Sequence, residues 1–369
     1  MHLTLHLTDA CNLSCRYCYV RQSPRTMTRD TVRAAVDLAA ASGRQTGLVF
    51  FGGEPLLCRE LIEETVGYAQ EVSRRTGHRF FYKITTNGIL LDEPFLEFSR
   101  RHTMLVGVSH DGLTQDDYRV FHDGRPTAAM LEDKLSLLLR YQPYAMVLTT
   151  VNPDTVSRFA ASVVWLFEKG FRYLITSLNY AVDAGWTEEA LRELENQYRL
   201  LADRYVEWTM REEKFYLGAF EMKIRSHLKG ADYCGDRCQL GKKQLSVAPD
   251  GGLYPCTQFI DDSAYRMGDV FSGIDEGARE EIARRGEAVP STCGDCAIRA
   301  RCNHTCGCLN KQATGRIDRV SPVQCAHERM LLPIADRVAE KLYKKRSPVF
   351  IQKHYNPEYP LLSLIEDKV

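Results

Sequence analysis

Apolar runs and segments with a helical pattern alternate along the first half of the chain. Six short runs, apolar or β-branched, are typical of buried strands: Leu3–Leu7, Gly47–Phe51, Phe80–Thr85, Leu105–Ser109, Met146–Thr150 and Tyr173–Ser177. Helices are predicted between them: Thr28–Ala41, Arg59–Ser73, Glu93–Arg100, Ala128–Tyr141 and Thr155–Lys169. This alternation predicts an α/β fold, an open, partial (β/α)6 barrel of the TIM type. In such a sheet the active site lies at the carboxyl ends of the strands.

The pattern changes after this first part. Trp186–Glu213 repeats apolar residues at helical spacing, and an apolar, aromatic segment follows at Phe215–Leu228. Gln244–Ala248 and Leu253–Cys256 flank a Pro-Asp-Gly-Gly sequence, a strong turn signal that predicts a β-hairpin. Near the end, Ala335–Lys345 is predicted to be a basic, amphipathic helix.

Composition narrows the class of protein. The 369 residues are 44% hydrophobic, and Lys+Arg and Asp+Glu balance at 48 each. A net charge of zero argues against nucleic acid or an anionic membrane as the main partner. The amino terminus lacks the pattern of a secretory signal, and no apolar run approaches the roughly 18 residues that span a bilayer. We expect a cytoplasmic enzyme.

The cysteines fall into two groups. Of the thirteen, three precede residue 20, Cys58 stands by itself, and nine lie between residues 234 and 325. An odd number in a large chain with no secretory signal indicates metal binding rather than disulfides. Cys58 is expected to be a small buried side chain. The two groups predict two cysteine modules separated by a cysteine-poor body.

The first group, Cys11, Cys15 and Cys18, follows a predicted strand with the spacing Cys-x3-Cys-x2-Cys. Thiolates are the usual ligands of a four-iron cluster, so three of them leave one iron open for a further ligand. A zinc site or buried free thiols are the alternatives. With Tyr17 before the last cysteine, the stretch resembles the signature of the radical S-adenosylmethionine (SAM) family. The resemblance implies that SAM binds the open iron and that one electron from the cluster releases a 5′-deoxyadenosyl radical.

Three other segments resemble parts of the SAM site in that family. They are Gly52-Gly53-Glu54-Pro55, Thr85-Thr86-Asn87-Gly88 and Ser109-His110-Asp111-Gly112. The resemblance implies that Glu54 binds the SAM amine, while Ser109 and Asp111 bond the ribose and Arg119 neutralises the carboxylate. The paired glycines would let the backbone approach a ligand. Each of these segments has an alternative interpretation as a simple loop or turn.

The spacing of the second group of cysteines is a more specific signal than that of the first. Cys238 is followed by twelve residues, Gly251, four residues and Cys256, and then by Cys-x2-Cys-x5-Cys-x3-Cys and a final cysteine. This resembles the SPASM domain, which holds auxiliary iron–sulfur clusters. The resemblance implies one cluster on Cys234, Cys238, Cys256 and Cys306, and another on Cys293, Cys296, Cys302 and Cys325, making three 4Fe-4S clusters in all. Two zinc sites are the alternative. Cys308 either replaces Cys306 as a ligand or is free.

These patterns divide the chain into four parts. Residues 1–215 are predicted to form the radical SAM barrel, 216–233 a bridge, 234–330 the SPASM domain, and 331–369 a helix and tail. The bridge is expected to pack the second module against the first.

Proteins with both modules resemble maturases of ribosomally made peptides. The resemblance implies hydrogen abstraction from a residue of a precursor peptide, most simply forming a thioether or another crosslink. Formylglycine formation, as in anaerobic sulfatase maturases, is an alternative, but Thr257 follows Cys256 where that family has an Asp as its proposed base. A dehydrogenase or epimerase acting on another substrate, and a non-catalytic metal scaffold, also remain open. Flavodoxin or ferredoxin is the expected electron donor, and leader recognition is expected to use the bridge, a sheet edge or a separate protein.

Overall fold

The computed structural model describes residues 2–230, 239–356 and 358. Cys234 and Cys238, two of the predicted cluster ligands, lie outside the described residues. Among the helices of the described ranges, none is long and apolar enough to cross a membrane.

A nine-stranded sheet organises the molecule. Its strands are β1 His2–His6, β2 Gln45–Phe51, β3 Arg79–Thr86, β4 Leu105–Ser109, β5 Met146–Val151, β6 Tyr173–Leu178, β7 Tyr216–Leu217, β8 Gln244–Val247 and β9 Leu253–Tyr254. They lie in the order β7-β6-β5-β4-β3-β2-β1-β8-β9, and every neighbouring pair is parallel except β8 and β9, which are antiparallel. A separate antiparallel pair is β10 Gly268–Asp269 with β11 Gly273–Ile274.

Helices connect the parallel strands and build the second module. They are α1 Arg29–Ala41, α2 Arg59–Thr76, α3 Glu93–Arg101, α4 Gln115–Tyr118, α5 Ala128–Tyr141, α6 Phe159–Glu168, α7 Glu188–Met210, α8 Gly218–Lys229, α9 Glu276–Glu287, α10 Gly307–Thr314, α11 Pro322–Lys344 and α12 Pro348–Tyr355. Side-chain caps fix several starts: the Thr28 hydroxyl accepts from the Thr31 N–H at α1, and Thr187 accepts from Ala190 at α7.

The six predicted strands all form, and the α/β partial-barrel prediction is confirmed. The sheet is nonetheless wider than six strands. The predicted hairpin is present as β8 and β9, with Gly251 at φ +89° in its turn. Its position was not predicted: β8 pairs with β1 from His2↔Gln244 to Leu5↔Val247. The second module therefore continues the barrel sheet instead of forming a separate layer.

Two helix boundaries differ from the predictions. Pro153–Arg158 forms a 3₁₀ helix, so α6 begins only at Phe159 rather than at Thr155. Helix α11 begins at Pro322, well before the predicted Ala335, and it crosses the predicted boundary at residue 330. Its first half was missed because polar side chains such as Glu328 face the core there and interrupt the apolar periodicity.

The bridge helix α8 and the tail helix α12 pack against α11 and against each other. Helices α7 and α8 both contact α11. A buried ion pair joins Lys223 on α8 to Glu328 on α11, with Nζ and Oε2 2.6 Å apart. Helix α12 docks through Lys353, which pairs with the fully buried carboxylate of Glu221 on α8. Removing one member of such a pair leaves a buried charge without its partner, which destabilises the fold. These contacts therefore hold the tail helix in place.

Candidate active site

The loop after β1 brings the three cysteines of the first motif together. Leu13 forms an isolated bridge with Phe121, which ties this loop to the segment after α4. Cys11, Cys15 and Cys18 all line one cavity of about 320 Å³, whose wall includes residues at the carboxyl ends of the parallel strands. A cavity of this volume is within the range of small-molecule sites.

Gly52 and Gly53 let the segment after β2 lie directly against the cysteine loop. The Gly53 N–H donates to the Thr8 carbonyl at 2.7 Å. A Cβ on Gly52 would lie 2.4 Å from the Thr8 oxygen, and one on Gly53 would lie 2.2 Å from the Ala10 oxygen. Both glycines line the cavity. Their close approach in this structure is to the loop backbone, and this requires the absence of a side chain.

Glu54 is fully buried behind the cavity wall. Its Oε1 accepts from the Leu56 N–H at 3.0 Å and from the Thr86 hydroxyl at 2.7 Å. Its Oε2 accepts from the Asn87 N–H at 2.8 Å. Burial raises the pKa of this carboxyl to about 7, against the three hydrogen bonds that favour the charged form. Glu54 therefore links the end of β2 to the end of β3. Pro55, next to it, is also buried behind the wall.

Asn87 connects β3 to the cysteine loop. Its Nδ2 donates to Asn12 Oδ1 at 2.7 Å and lies 3.7 Å from Cys11 Sγ. Asn87 and Thr86 both line the cavity. An amide donor beside a sulfur stabilises negative charge there, so this contact suits a thiolate ligand.

Asp111 holds three wall residues, Arg119, Tyr17 and Thr150, from behind the cavity wall. Its Oδ2 lies 2.9 Å from Arg119 Nε and accepts from the Tyr17 hydroxyl, while Oδ1 accepts from the Thr150 N–H at 2.9 Å. The Arg119 guanidinium lies 5.2 Å from the centre of the Tyr17 ring. Arg119, Tyr17 and Ser109 line the cavity, whereas Asp111 does not. The predicted SAM-site residues Ser109, Asp111 and Arg119 are thus brought together, with the Asp111 carboxylate behind the cavity wall.

The protonation of the thiols tests whether this loop fits a metal cluster. Burial raises the pKa of the Cys11 thiol to about 12 and also raises the pKa values of Cys15 and Cys18. At Cys15, Arg119 opposes that rise through its charge and a hydrogen bond. Three neighbouring thiols whose pKa values are raised need a strong positive partner to ionise together, and iron supplies one. The donor set therefore fits an iron–sulfur cluster.

Several wall residues were not predicted from the sequence. Asn179 follows β6, so its position at a strand end was an available signal. Gln258 and Gln312 come from the second module, and each lies within a few residues of a cysteine. The wall residues that were not predicted include Tyr19 and Gln22 after the cysteine motif. They also include residues of β6 and the second module: Ile175, Ser177, Leu178, Asn179, Gln258, Leu309 and Gln312.

The described cysteines of the second module form two groups. In the first, Cys308 is in hydrogen-bond contact with both Cys256 and Cys306. The second group contains the remaining four, which influence one another electrostatically: Cys293, Cys296, Cys302 and Cys325. Within the described ranges, no three His, Cys, Asp or Glu side chains are arranged to hold a single metal ion.

Direct contacts join the cysteine loop to the second module. The hydroxyls of Tyr19 and Thr257 are 3.0 Å apart. Arg25 pairs with Asp9 of the loop, Nε to Oδ2 at 2.6 Å, and also with Asp261 of the second module. The two modules therefore meet beside the cavity.

Comparison with known proteins relates this arrangement to a family. The model of the Radical SAM superfamily matches residues 5–197 of the chain. The serine-type anaerobic sulfatase-maturating enzyme of Klebsiella aerogenes is 24% identical over 328 residues, which cover 84% of this chain and 80% of that protein.

Two solved structures share the fold at low sequence identity. A structure of anSMEcpe with AdoMet and a peptide bound has a TM-score of 0.79 at 19% identity, covering 94% of this chain and 100% of that one. Streptococcus suis SuiB bound to its precursor peptide SuiA has a TM-score of 0.62 at 14% identity, covering 87% of this chain and 75% of that one. Because the family model matches more than half of the 369 residues, the chain belongs to the Radical SAM superfamily of enzymes.

Proposed function

We propose that this enzyme forms a thioether or another crosslink in a ribosomally made precursor peptide. The 5′-deoxyadenosyl radical would take one hydrogen atom from a residue, and the second hydrogen would leave as a proton to solvent and an electron to an auxiliary cluster. The observation that carries the proposal is the composition of one cavity. One wall, the cosubstrate wall, contains the loop with Cys11, Cys15 and Cys18 and residues of the segments that resemble a SAM site. Its opposite wall comes from β6 and the second module and is uncharged.

The cosubstrate side fits the cofactors that the family uses, a 4Fe-4S cluster and SAM. Cys11, Cys15 and Cys18 would hold the cluster, which in its reduced state would supply the electron that cleaves SAM to a 5′-deoxyadenosyl radical. The chain's own residues orient SAM: Arg119, fixed by Asp111, faces the cavity and can pair with a carboxylate.

The remaining predicted residues divide into contacting and positioning groups. Ser109, Thr86 and Asn87 line the cavity and can hydrogen-bond the cosubstrate. Glu54 and Asp111 act mainly from behind, because their oxygens already accept from neighbouring loops. Tyr17 keeps the Arg119 guanidinium over its ring.

The substrate side favours crosslinking over formylglycine formation. Arg119 is the one charged side chain among the described residues that line the cavity, so that wall offers no carboxylate as a base. Thr257, after Cys256, has a hydroxyl that cannot serve as a base near neutral pH. Asp261 and Asp262 lie outside this cavity, where Arg25 and Lys311 pair with them.

A peptide is the substrate class best supported. The SuiB structure contains a bound precursor peptide, and one anSMEcpe structure contains a bound peptide. Amide side chains suit such a ligand, because Gln and Asn both donate to and accept from a peptide backbone. Gln258 and Gln312 therefore provide a surface for an extended segment.

The other parts of the proposal follow from the cysteine modules. We propose two auxiliary 4Fe-4S clusters in the second module, with the domain division given above. A flavodoxin or ferredoxin would deliver the electrons in the cytoplasm. Recognition of a leader would use the bridge, a sheet edge or a separate protein.

The test is anaerobic incubation of the reconstituted enzyme with SAM, dithionite and the peptide encoded beside its gene. We expect 5′-deoxyadenosine and a peptide lighter by two hydrogens per crosslink. A hydrazide probe, which labels formylglycine but not a thioether, separates the two products. Labelled peptide, or deuterium gained from heavy water without crosslinking, would contradict the proposal. Cys15→Ala is the control, and it should give neither product.

A further inference from the structure

A groove of about 470 Å³ lies between α7 and α11, and none of its lining residues lines the cavity described above. The two helices pack against each other, and each contributes side chains spaced three or four residues apart, which is one face of a helix. The charged residues of this groove are Glu188, Arg192, Glu195 and Arg199 from α7 and Arg329 and Arg337 from α11.

The groove carries an excess of positive charge. Four arginines line it against two glutamates, although the whole chain has no net charge. Glu188 lies 3.8 Å from Arg192, Oε2 to Nη1, and Glu195 pairs with Arg199. These four side chains are exposed, so both pairs are weak and can open to a new partner. Arg337 is also exposed and has no ion-pair partner among the residues that the structure describes.

Arg329 connects the groove to the cysteines of the second module. Its Nη2 lies 3.6 Å from the Cys296 sulfur, and a guanidinium donor at a sulfur favours the thiolate that a cluster requires. Cys325 precedes Arg329 by one turn of α11 and therefore lies on the same side of the helix. A protein bound in the groove would thus be separated from a cluster on these cysteines by the Arg329 side chain.

We propose that this groove docks an acidic one-electron carrier protein of the flavodoxin or ferredoxin class beside the auxiliary cluster held by Cys293, Cys296, Cys302 and Cys325. The proposal rests on the auxiliary clusters of the proposed function and names the surface through which one of them exchanges electrons. A cluster that has accepted an electron from the peptide passes it to the oxidised carrier. The cluster is oxidised and the carrier reduced by one electron, and no bond or proton is transferred.

The charge and the position of the groove both favour this partner. Electron carriers bind weakly over small surfaces and are steered to them by complementary charge. Basic side chains also occur elsewhere on the surface, for example Arg74 and Arg75 on α2. The α7/α11 groove differs from such a patch because one of its arginines contacts a proposed cluster ligand.

The test measures binding of an oxidised acidic ferredoxin, and in parallel of an oxidised flavodoxin, to the anaerobically reconstituted full chain without SAM or peptide. Isothermal titration calorimetry compares the parent with Arg192→Glu/Arg337→Glu. Reversing two charges of the groove should raise Kd by roughly tenfold, because like charges then meet across the interface. At about 1 M salt, where the Debye length is about 3 Å, the parent should lose this advantage.

Two further variants separate docking from folding and from overall charge. Arg74→Glu/Arg75→Glu makes the same change of charge at two exposed arginines of α2, and it should change Kd by less than about twofold. Glu188→Gln/Glu195→Gln removes both carboxylates of the groove and should lower Kd by roughly two- to tenfold. A misfolded protein cannot produce this gain in affinity.

Three results would overturn the proposal. The first is a parent that binds neither carrier, and the second is equal weakening in the groove variant and the α2 variant. The third is a groove variant that loses affinity for the precursor peptide but not for the carrier, which would assign the groove to the peptide. Peptide crosslinking with dithionite needs no docked carrier, so its failure would refute the proposed function without bearing on this binding experiment.

Discussion

The two walls of the cavity differ in how many of their polar groups already have hydrogen-bond or ion-pair partners within the protein. Behind the cosubstrate wall, Glu54 and Asp111 are buried, and backbone N–H groups, hydroxyls and Arg119 donate to their oxygens. On the wall formed by the second module, Gln258 and Gln312 present neutral amides. A paired, buried wall is rigid and suits one invariant ligand. A wall of neutral amides can adapt to a peptide, whose backbone repeats but whose side chains vary.

The largest expected effect comes from breaking the buried ion pair. Asp111→Asn leaves the Arg119 guanidinium, 8% exposed, without its charged partner. We expect unfolding free energy to fall by about 3–5 kcal/mol and 5′-deoxyadenosine formation to fall with it. Denaturant unfolding and a product assay measure the two losses.

The matched control is Asp117→Asn, which breaks the exposed pair with Arg158. That change should cost about 0–1 kcal/mol. Equal losses in the two variants would show that the buried pair has no special role.

The next effect concerns pH. Burial raises the pKa of Glu54 from 4.5 to about 7. The unfolded chain therefore releases this proton at lower pH than the folded one, and the stabilisation, complete below pH 4.5, is lost as the pH rises to about 7. Relative to Glu54→Gln, the parent should lose about 3 kcal/mol across that window.

Denaturant unfolding of both proteins without SAM, at several pH values, measures the difference. A difference in stability that stays constant with pH would contradict the raised pKa. Glu64→Gln is the control, because the Glu64 carboxyl is exposed and its pKa is lowered by Arg29.

A smaller effect is expected on the opposite wall. Gln258→Leu and Gln312→Leu each remove an amide that can bond a peptide backbone, which is worth about 0.5–1.5 kcal/mol. We expect KM for the peptide to rise by roughly 2–10-fold per change. The rate of SAM cleavage without peptide should stay the same, since neither amide belongs to the cosubstrate wall.

Steady-state kinetics with the peptide, beside a peptide-free cleavage assay, separates the two walls. A fall in peptide-free cleavage would mean that both walls serve the cosubstrate. Gln70→Leu on α2, whose amide bonds His102 away from the cavity, is the control.

The smallest effect is expected at the junction of the modules. Asp261→Asn removes one partner of Arg25, but Asp9 remains 2.6 Å from the same guanidinium. Both Arg25 and Asp261 are about 40% exposed, so the loss should be about 0–1 kcal/mol. Denaturant unfolding at low and high salt checks this, and a loss that salt does not change would contradict a screened surface pair.

The fold could be predicted because its signals are local. Each strand of the barrel is a short apolar run, and caps such as Thr28 and Thr187 lie next to the helices they start. The pairing of β8 with β1 could not be predicted from local patterns, because it joins residues far apart in sequence. The early start of α11 was missed for a different reason: Glu328 is polar but buried against Lys223, which no periodicity rule anticipates.

The sequence predicted at which strand ends the site residues lie, but not which of their side chains reach the cavity. The sequence placed Glu54 and Asp111 at strand ends, where the structure has them. It could not say that their carboxylates lie behind the cavity wall, since that depends on donors such as Asn87 and Arg119 on other segments. Gln258 and Gln312 were missed because neutral amides carry no spacing signature. Their exposure to the cavity depends on how the two modules dock.

The place of β1 in the sheet has a consequence for how the chain folds. His2 pairs with Gly47 on one side and with Gln244 on the other. Because six other strands of the sheet lie between β1 and β8 in the chain, both edges of β1 are covered only when β8 has been made. Such late closure slows folding and leaves an exposed strand edge in the meantime. We expect the barrel sheet to close, and the loop of the first three cysteines to be fixed in place, only after β8 of the second module has been made.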